Sequence, residues 1–191
     1  RQLVALASGL HRTGWPVTVV CFYGGGAFQS ELESAGVPLI DLHKRDRWDV
    51  FGFLWRLWRT FRKVNADIVH GYLPVANMLA LLARAAHRRT KVVWGVRSSF
   101  IDRTKRDWLS RLTFRLSCSL ARLADCIIAN SEAGATHHAA LGYPGERIRV
   151  VHNGIDTQRF RFSDEGRMRM REAWGISNGS LLVGLVGRID P

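Results

Sequence analysis

Glycines and hydrogen-bonding side chains gather directly behind apolar runs in this 191-residue chain. They are Gly24-Gly25-Gly26, His70-Gly71-Tyr72, Arg97-Ser98-Ser99, Asn130-Ser131-Glu132 and the stretch from His152 to Asp156. Gly187-Arg188 occupies the same kind of place, at the close of the run "SLLVGLVG". Arg97 with Ser98 and Ser99 suits a phosphate or a carboxylate, because a guanidinium is always charged and its planar fork matches paired oxygens. The competing use of Arg97 is an ion pair to a nearby carboxylate. His70 either faces a ligand cleft or serves as a hydrogen-bonded structural residue. Gly24 and Gly25 permit close backbone approach to a ligand, yet without GxGxxG spacing they serve equally as a flexible turn. Asn130 and Ser131 are cleft candidates that also suit capping the helix behind them. His137 and His138 are adjacent, so on a helix they diverge, and no metal site is expected.

An alternating series of elements must position these residues. Leu3, Val4, Leu6, Ala7 and Leu10 recur at helical spacing as far as Gly14. Strands are expected at 17–23, 37–42, 66–72, 91–96, 125–130 and 147–151, and helices at 27–36, 49–64, 74–88, 105–124 and 131–142. Short, β-branched strands alternating with helices predict an α/β fold, a Rossmann-like parallel sheet flanked by helices with right-handed crossovers. Ligands of such sheets bind beyond the carboxyl ends of the strands, where the residues above fall. Another strand is expected over 180–187. The residues alone leave open whether it extends this sheet or begins another.

A hydrophobic fraction of 47% and a charged fraction of 23% are those of an ordinary globular protein. No apolar run approaches the roughly 18 residues of a membrane span. Cys21, Cys118 and Cys126 lack CxxC spacing and lie in apolar surroundings, so buried free thiols in a reducing compartment are expected. The net charge of +12 would attract nucleic acid, anionic lipid or phosphorylated ligands without choosing among them. Within 49–64, Val50, Phe51, Leu54, Leu57, Trp58 and Phe61 read as one apolar face. Arg56, Arg59, Arg62 and Lys63 read as the opposite side, with Trp55 among them. That side is the candidate membrane-facing surface, since an aromatic ring among arginines suits anionic headgroups. The competing reading is a surface helix on which Trp55 is merely exposed.

The segment "RVVHNGIDTQRF", followed by "LLVGLVGRIDP", resembles the signature of family 4 glycosyltransferases, enzymes of GT-B architecture. There a strand, Asn-Gly-[Val/Ile]-Asp and a following Phe mark the crossing between two Rossmann-like domains, and a strand ending in Gly-Arg opens the second. Asn153, Gly154, Ile155, Asp156 and Phe160 match the first pattern, and Val186, Gly187 and Arg188 the second. "ADIVHGY", "CIIANSEAG" and the opening "RQLVALASGLHRTGWPVTVV" are also similar to segments of that family. The resemblance implies an acceptor-side domain over 1–152, a linker and helix over 153–179, and the start of a nucleotide-sugar domain over 180–191. It also implies that the chain is cut from a longer one and inactive alone. One departure is internal: many members place a His where this chain has Arg97.

The implied reaction transfers a sugar from a nucleotide-diphosphate donor to an acceptor hydroxyl, with retention and no metal or other cofactor. Gly187 and Arg188 would grip the donor diphosphate. Gly24, Gly25, His70, Arg97, Ser98, Asn130 and Ser131 would line the acceptor-side cleft, with Asn153, Gly154 and Asp156 as the hinge. No individual catalytic residue is assigned. A lipid-linked or glycan acceptor is expected, in cell-envelope glycan, polysaccharide or glycolipid synthesis, on a cytoplasmic protein docked peripherally on the inner face of the plasma membrane. The rival is a basic nucleic-acid- or membrane-binding α/β domain without catalysis. It lacks a recognisable nucleic-acid-reading motif. A dinucleotide-dependent oxidoreductase would need a GxGxxG behind a strand, which the chain lacks.

Overall fold

The computed structural model describes residues 1–46, 48–97 and 108–185. Helix α1 (Gln2–Arg12) leads to β1 (Val19–Cys21), α2 (Gln29–Ser34), β2 (Leu39–Asp41) and α3 (Val50–Val64). Then come β3 (Ile68–Tyr72), α4 (Pro74–Ala80), α5 (Leu82–Ala86), β4 (Lys91–Val96) and α6 (Trp108–Leu120), which tightens into a 3₁₀ turn over Ala121–Leu123. The series closes with β5 (Cys126–Ala129), α7 (Glu132–Ala140), β6 (Ile148–Val150) and α8 (Asp164–Ala173).

Local chemistry sets the boundaries. Helix α2 ends because Gly36 adopts a left-handed φ of +72°, letting the Val37 N–H return to the Leu32 carbonyl at 3.0 Å. Asn65 closes α3 in the same region, at φ 49°. Ser131 and Ser163 cap α7 and α8, each accepting from a glycine N–H three residues on. The single helix expected over 74–88 is two, joined at Leu81, where three-residue hydrogen bonds replace the four-residue ladder.

Every strand pair is parallel, as alternation requires, but the described strands form two sheets. One is β1-β2 and the other β3-β4-β5-β6. Side-chain packing, rather than a ladder, ties the first group to its surroundings. Val20 and Phe22 pack with Phe53 and Leu57 of α3 and with Leu79 and Leu82. The main core lies on one face of β4, where Val92, Trp94 and Val96 alternate inward against Ile127, Ala129, Phe114 and Ala121. Trp94 and Ile127 are fully buried. Cys21, Cys118 and Cys126 are partly buried thiols, none of them joined in a disulfide.

Two compact units result, Arg1–Asn153 and Gly154–Pro191. In the second, Asp156 Oδ1 accepts the N–H groups of Gln158 and Arg159, both at 3.0 Å, fixing the turn that enters Phe160. Arg171 is buried and donates to the carbonyls of Ser177 and Ser180. The strand expected over 180–187 is not formed across 181–185, where Leu181, Val183 and Leu185 are exposed. An extended apolar run becomes a strand only beside a neighbour that takes its backbone groups, and none lies there among the described residues.

Candidate functional site

The pairing of β3 with β4 sets the centre of the site. Register places His70 beside Val93 and Tyr72 beside Gly95, so His70, Tyr72 and the position of Arg97 share the face opposite Trp94. Gly95 leaves that face open. A Cβ there would sit 3.2 Å from His70 Nε2 and 3.1 Å from the Gly71 carbonyl oxygen. Into the space lean His70 and Tyr72, ring centres 4.4 Å apart. The Arg97 guanidinium lies 5.6 Å from the Tyr72 ring centre and donates to Asn153 Oδ1 at 2.5 Å.

The turn behind β3 holds this cluster in place. Asn77 of α4, 1% exposed, donates from Nδ2 to the Gly95 carbonyl at 3.0 Å and accepts the Gly95 N–H at 3.2 Å. A side chain on Gly71 would meet the Asn77 Cα at 2.7 Å, so only glycine lets α4 approach this closely. Leu73, between them, has φ 75°, a region bulky residues rarely adopt. Such strain persists where surrounding contacts over-determine the backbone, and it clusters at functional sites.

Electrostatics divide the roles. Burial, and then the Arg97 charge, lower the His70 pKa to about 4, so its imidazole is neutral at physiological pH. Burial raises the Tyr72 phenol, with Arg97 pulling the other way. Arg97 is thus the fixed cation beside two neutral rings, and the pattern fits holding an anion rather than moving a proton.

Asn130 stands at the same sheet edge, one residue past the Ala129 that pairs with Val96 and Val150. Its Oδ1 is buried without a hydrogen-bond partner among the described residues. Ser131 is a helix cap, its Oγ accepting the Gly134 N–H at 3.1 Å. Ser98, Gly187 and Arg188 lie outside the described residues. Asn153 and Gly154 flank the division between the compact units.

Gly24 and Gly25 line a separate open hollow of ≈ 370 Å³ with Gln29, Glu33, Leu39, Asp41 and His43. Any Cβ on Gly24 would collide with the Asp41 carboxylate, and Gly25 has φ +74°. The Gly25 N–H donates to Gln29 Oε1 at 2.9 Å. Asp41 Oδ1 accepts the His43 N–H at 2.7 Å, and its Oδ2 lies 2.8 Å from His43 Nδ1. Sequence reasoning missed Asp41 and His43, whose one signal is a polar turn ending an apolar run. It missed Asn77 and Gly95 because their importance arises from a contact 18 residues apart in sequence.

On α3 the structure reverses part of the expected surface. Arg56 turns inward, donating to the Leu42 carbonyl at 2.8 Å and pairing with Asp49, so it does not share the exposed surface expected for it. Trp55, Arg59, Arg62 and Lys63 are exposed as expected, but Phe51 and Trp58 join them instead of the core. The core residue is Phe53, with Leu57. Apolar side chains ring most of this helix, so periodicity alone did not select the buried arc.

Residues 1–159 match the family described as Glycosyltransferase Family 4. EpsD of Bacillus subtilis (strain 168), named as a glycosyltransferase, is 30% identical over 137 residues, covering 66% of this chain and 35% of EpsD. Alr3699/HepE from Anabaena, solved in complex with UDP-glucose, has a TM-score of 0.74 at 22% identity, covering 93% of this chain and 46% of that one. The UDP-GlcNAc 2-epimerase of Methanocaldococcus jannaschii has a TM-score of 0.54 at 13% identity, covering 80% of this chain and 42% of that one. At such identities the solved structures speak for the fold alone. The chain spans about a third of EpsD and less than half of either solved protein.

Proposed function

The chain belongs to glycosyltransferase family 4, and on that premise we propose that the full protein moves a sugar from a nucleotide-diphosphate donor to an acceptor hydroxyl, with retention at the anomeric carbon. The family match across residues 1–159 carries this reading. The UDP-glucose bound to Alr3699/HepE makes uridine diphosphate sugars the first donors to try. Gly187 and Arg188 grip the donor diphosphate, whose growing charge a fixed guanidinium and backbone N–H groups stabilise without a metal. Asn153, Gly154 and Asp156 form the hinge.

Arg97 holds an anionic group on the acceptor side. Its support is the cluster it stands in: a cation fixed by Tyr72 and Asn153 beside a neutral His70. A phosphate-bearing, lipid-linked acceptor fits that chemistry better than a neutral glycan, which favours a role in cell-envelope glycan, polysaccharide or glycolipid synthesis. Gly24, Gly25, Ser98 and Asn130 complete the acceptor side. Turnover of the full protein with a panel of nucleotide sugars and lipid-phosphate acceptors tests the reading, with product stereochemistry read by NMR. Transfer with the donor's own anomeric configuration is expected. Release of an epimerised sugar without an acceptor would instead favour the epimerase chemistry that the fold also hosts.

A further inference from the structure

Helix α3 carries two apolar faces, and one is left exposed by the described residues. Phe53, Leu57 and Phe61 recur at four-residue spacing on the inner side. Phe51, Trp55, Trp58 and Arg62 recur at spacings of four, three and four on a second side, about 130° around the helix from the first. Phe51 is 88% exposed, Trp55 57% and Trp58 41%, and Trp48, just before the helix, is 78% exposed. A soluble surface seldom gathers rings of this size in one stripe unless something covers them.

We propose that this stripe is a docking face for an anionic lipid bilayer, with α3 lying in the plane of the headgroups. Charge complementarity selects the occupant. Arg59 stacks on Trp55 and Arg62 on Trp58, each guanidinium carbon 5.4 Å from its ring centre. Lys63 is exposed at the edge. Helix α3 itself contains no carboxylate, Asp49 just before it is committed to Arg56, and Asp46, exposed beside Trp48, caps the turn by accepting the Trp48 N–H at 2.7 Å. Aromatic rings immersed at the acyl boundary with cations among the phosphates are the arrangement of an interfacial helix. A protein partner of matching chemistry would instead need an acidic, aromatic-lined groove. The proposal goes beyond sugar transfer and does not rest on it, since docking needs neither donor nor acceptor.

The test is co-sedimentation of the full-length protein with phosphatidylglycerol-containing vesicles and with pure phosphatidylcholine vesicles. Binding to the first and little to the second is expected. Phe51→Ala with Trp55→Ala should lower the partition coefficient about tenfold or more through lost apolar burial. Arg59→Gln with Arg62→Gln should lower it by about ten- to thirtyfold on the anionic vesicles. These side chains are outside the core, so thermal melting of the variants should stay unchanged. Bromolipid quenching of tryptophan fluorescence in the unaltered protein gives a second readout that needs no variant. Equal binding to neutral vesicles overturns the electrostatic part of the proposal. Absence of the protein from both pellets, absence of quenching, or a dimer that the Phe51 and Trp55 changes convert to monomer overturns it entirely.

Discussion

The Arg97 guanidinium rests on the Tyr72 ring and donates to Asn153 Oδ1 at 2.5 Å. One cation thereby links the end of β4 to the segment leaving β6. Arg97→Gln is expected to lower kcat/KM for a phosphate-bearing acceptor about tenfold to a hundredfold, the scale of a lost charge-assisted hydrogen bond. Arg97→Lys keeps the charge without the fork and should fall between. Steady-state kinetics with each substrate varied in turn check this, and donor binding should be unaffected. A matching loss in donor affinity would remove Arg97 from the acceptor side.

Close backbone approach behind β3 should be sensitive to single methyl groups. Gly71→Ala would press a Cβ against the Asn77 Cα at 2.7 Å and the Ala76 carbonyl oxygen at 2.9 Å. Neither is the end of a flexible side chain, and a cost of about 3 kcal/mol is expected. Gly95→Ala meets its neighbours at 3.1 and 3.2 Å and should cost less. Asn77→Leu would leave the Gly95 groups it serves without that partner, at about 2–3 kcal/mol. Urea denaturation orders the three. Equal stability of Gly71→Ala and the unaltered protein would contradict the packing described.

Acid should destabilise the fold through His70. The folded state keeps this imidazole neutral down to about pH 4, whereas the unfolded chain protonates it near its ordinary value of about 6.5. Between those values only the unfolded state takes up the proton. Stability is therefore level above that window, falls as pH drops through it, and levels again below, a loss on the order of 3 kcal/mol at most. Burial shifts His138 in the same direction, so His70→Gln should flatten part of the acid slope in urea midpoints. An unchanged slope would mean that His70 is solvated.

Donor recognition is assigned to the other motif. Arg188→Ala in the full-length protein should weaken nucleotide-sugar binding by about tenfold to a hundredfold, measured by calorimetry, with the acceptor KM little changed. Unaltered donor affinity would refute the role given to Arg188.

The alternation of apolar runs and helical patterns and the Ser131 helix cap were legible in the sequence, because each depends on neighbours a few residues apart. So was the family, through the motifs around Asn153 and the ADIVHGY and CIIAN segments. Tertiary structure alone decided the rest. It put Gly95 under His70 and Tyr72, gave Asn77 its bonds across 18 residues, and drew Arg56 inward. It also chose Phe53 over Phe51 as the buried ring of α3, and left residues 181–185 outside any strand among the described residues. A linear pattern records which side chains prefer to avoid water. It does not record which surface a second element will cover, since that depends on packing between segments far apart in the chain.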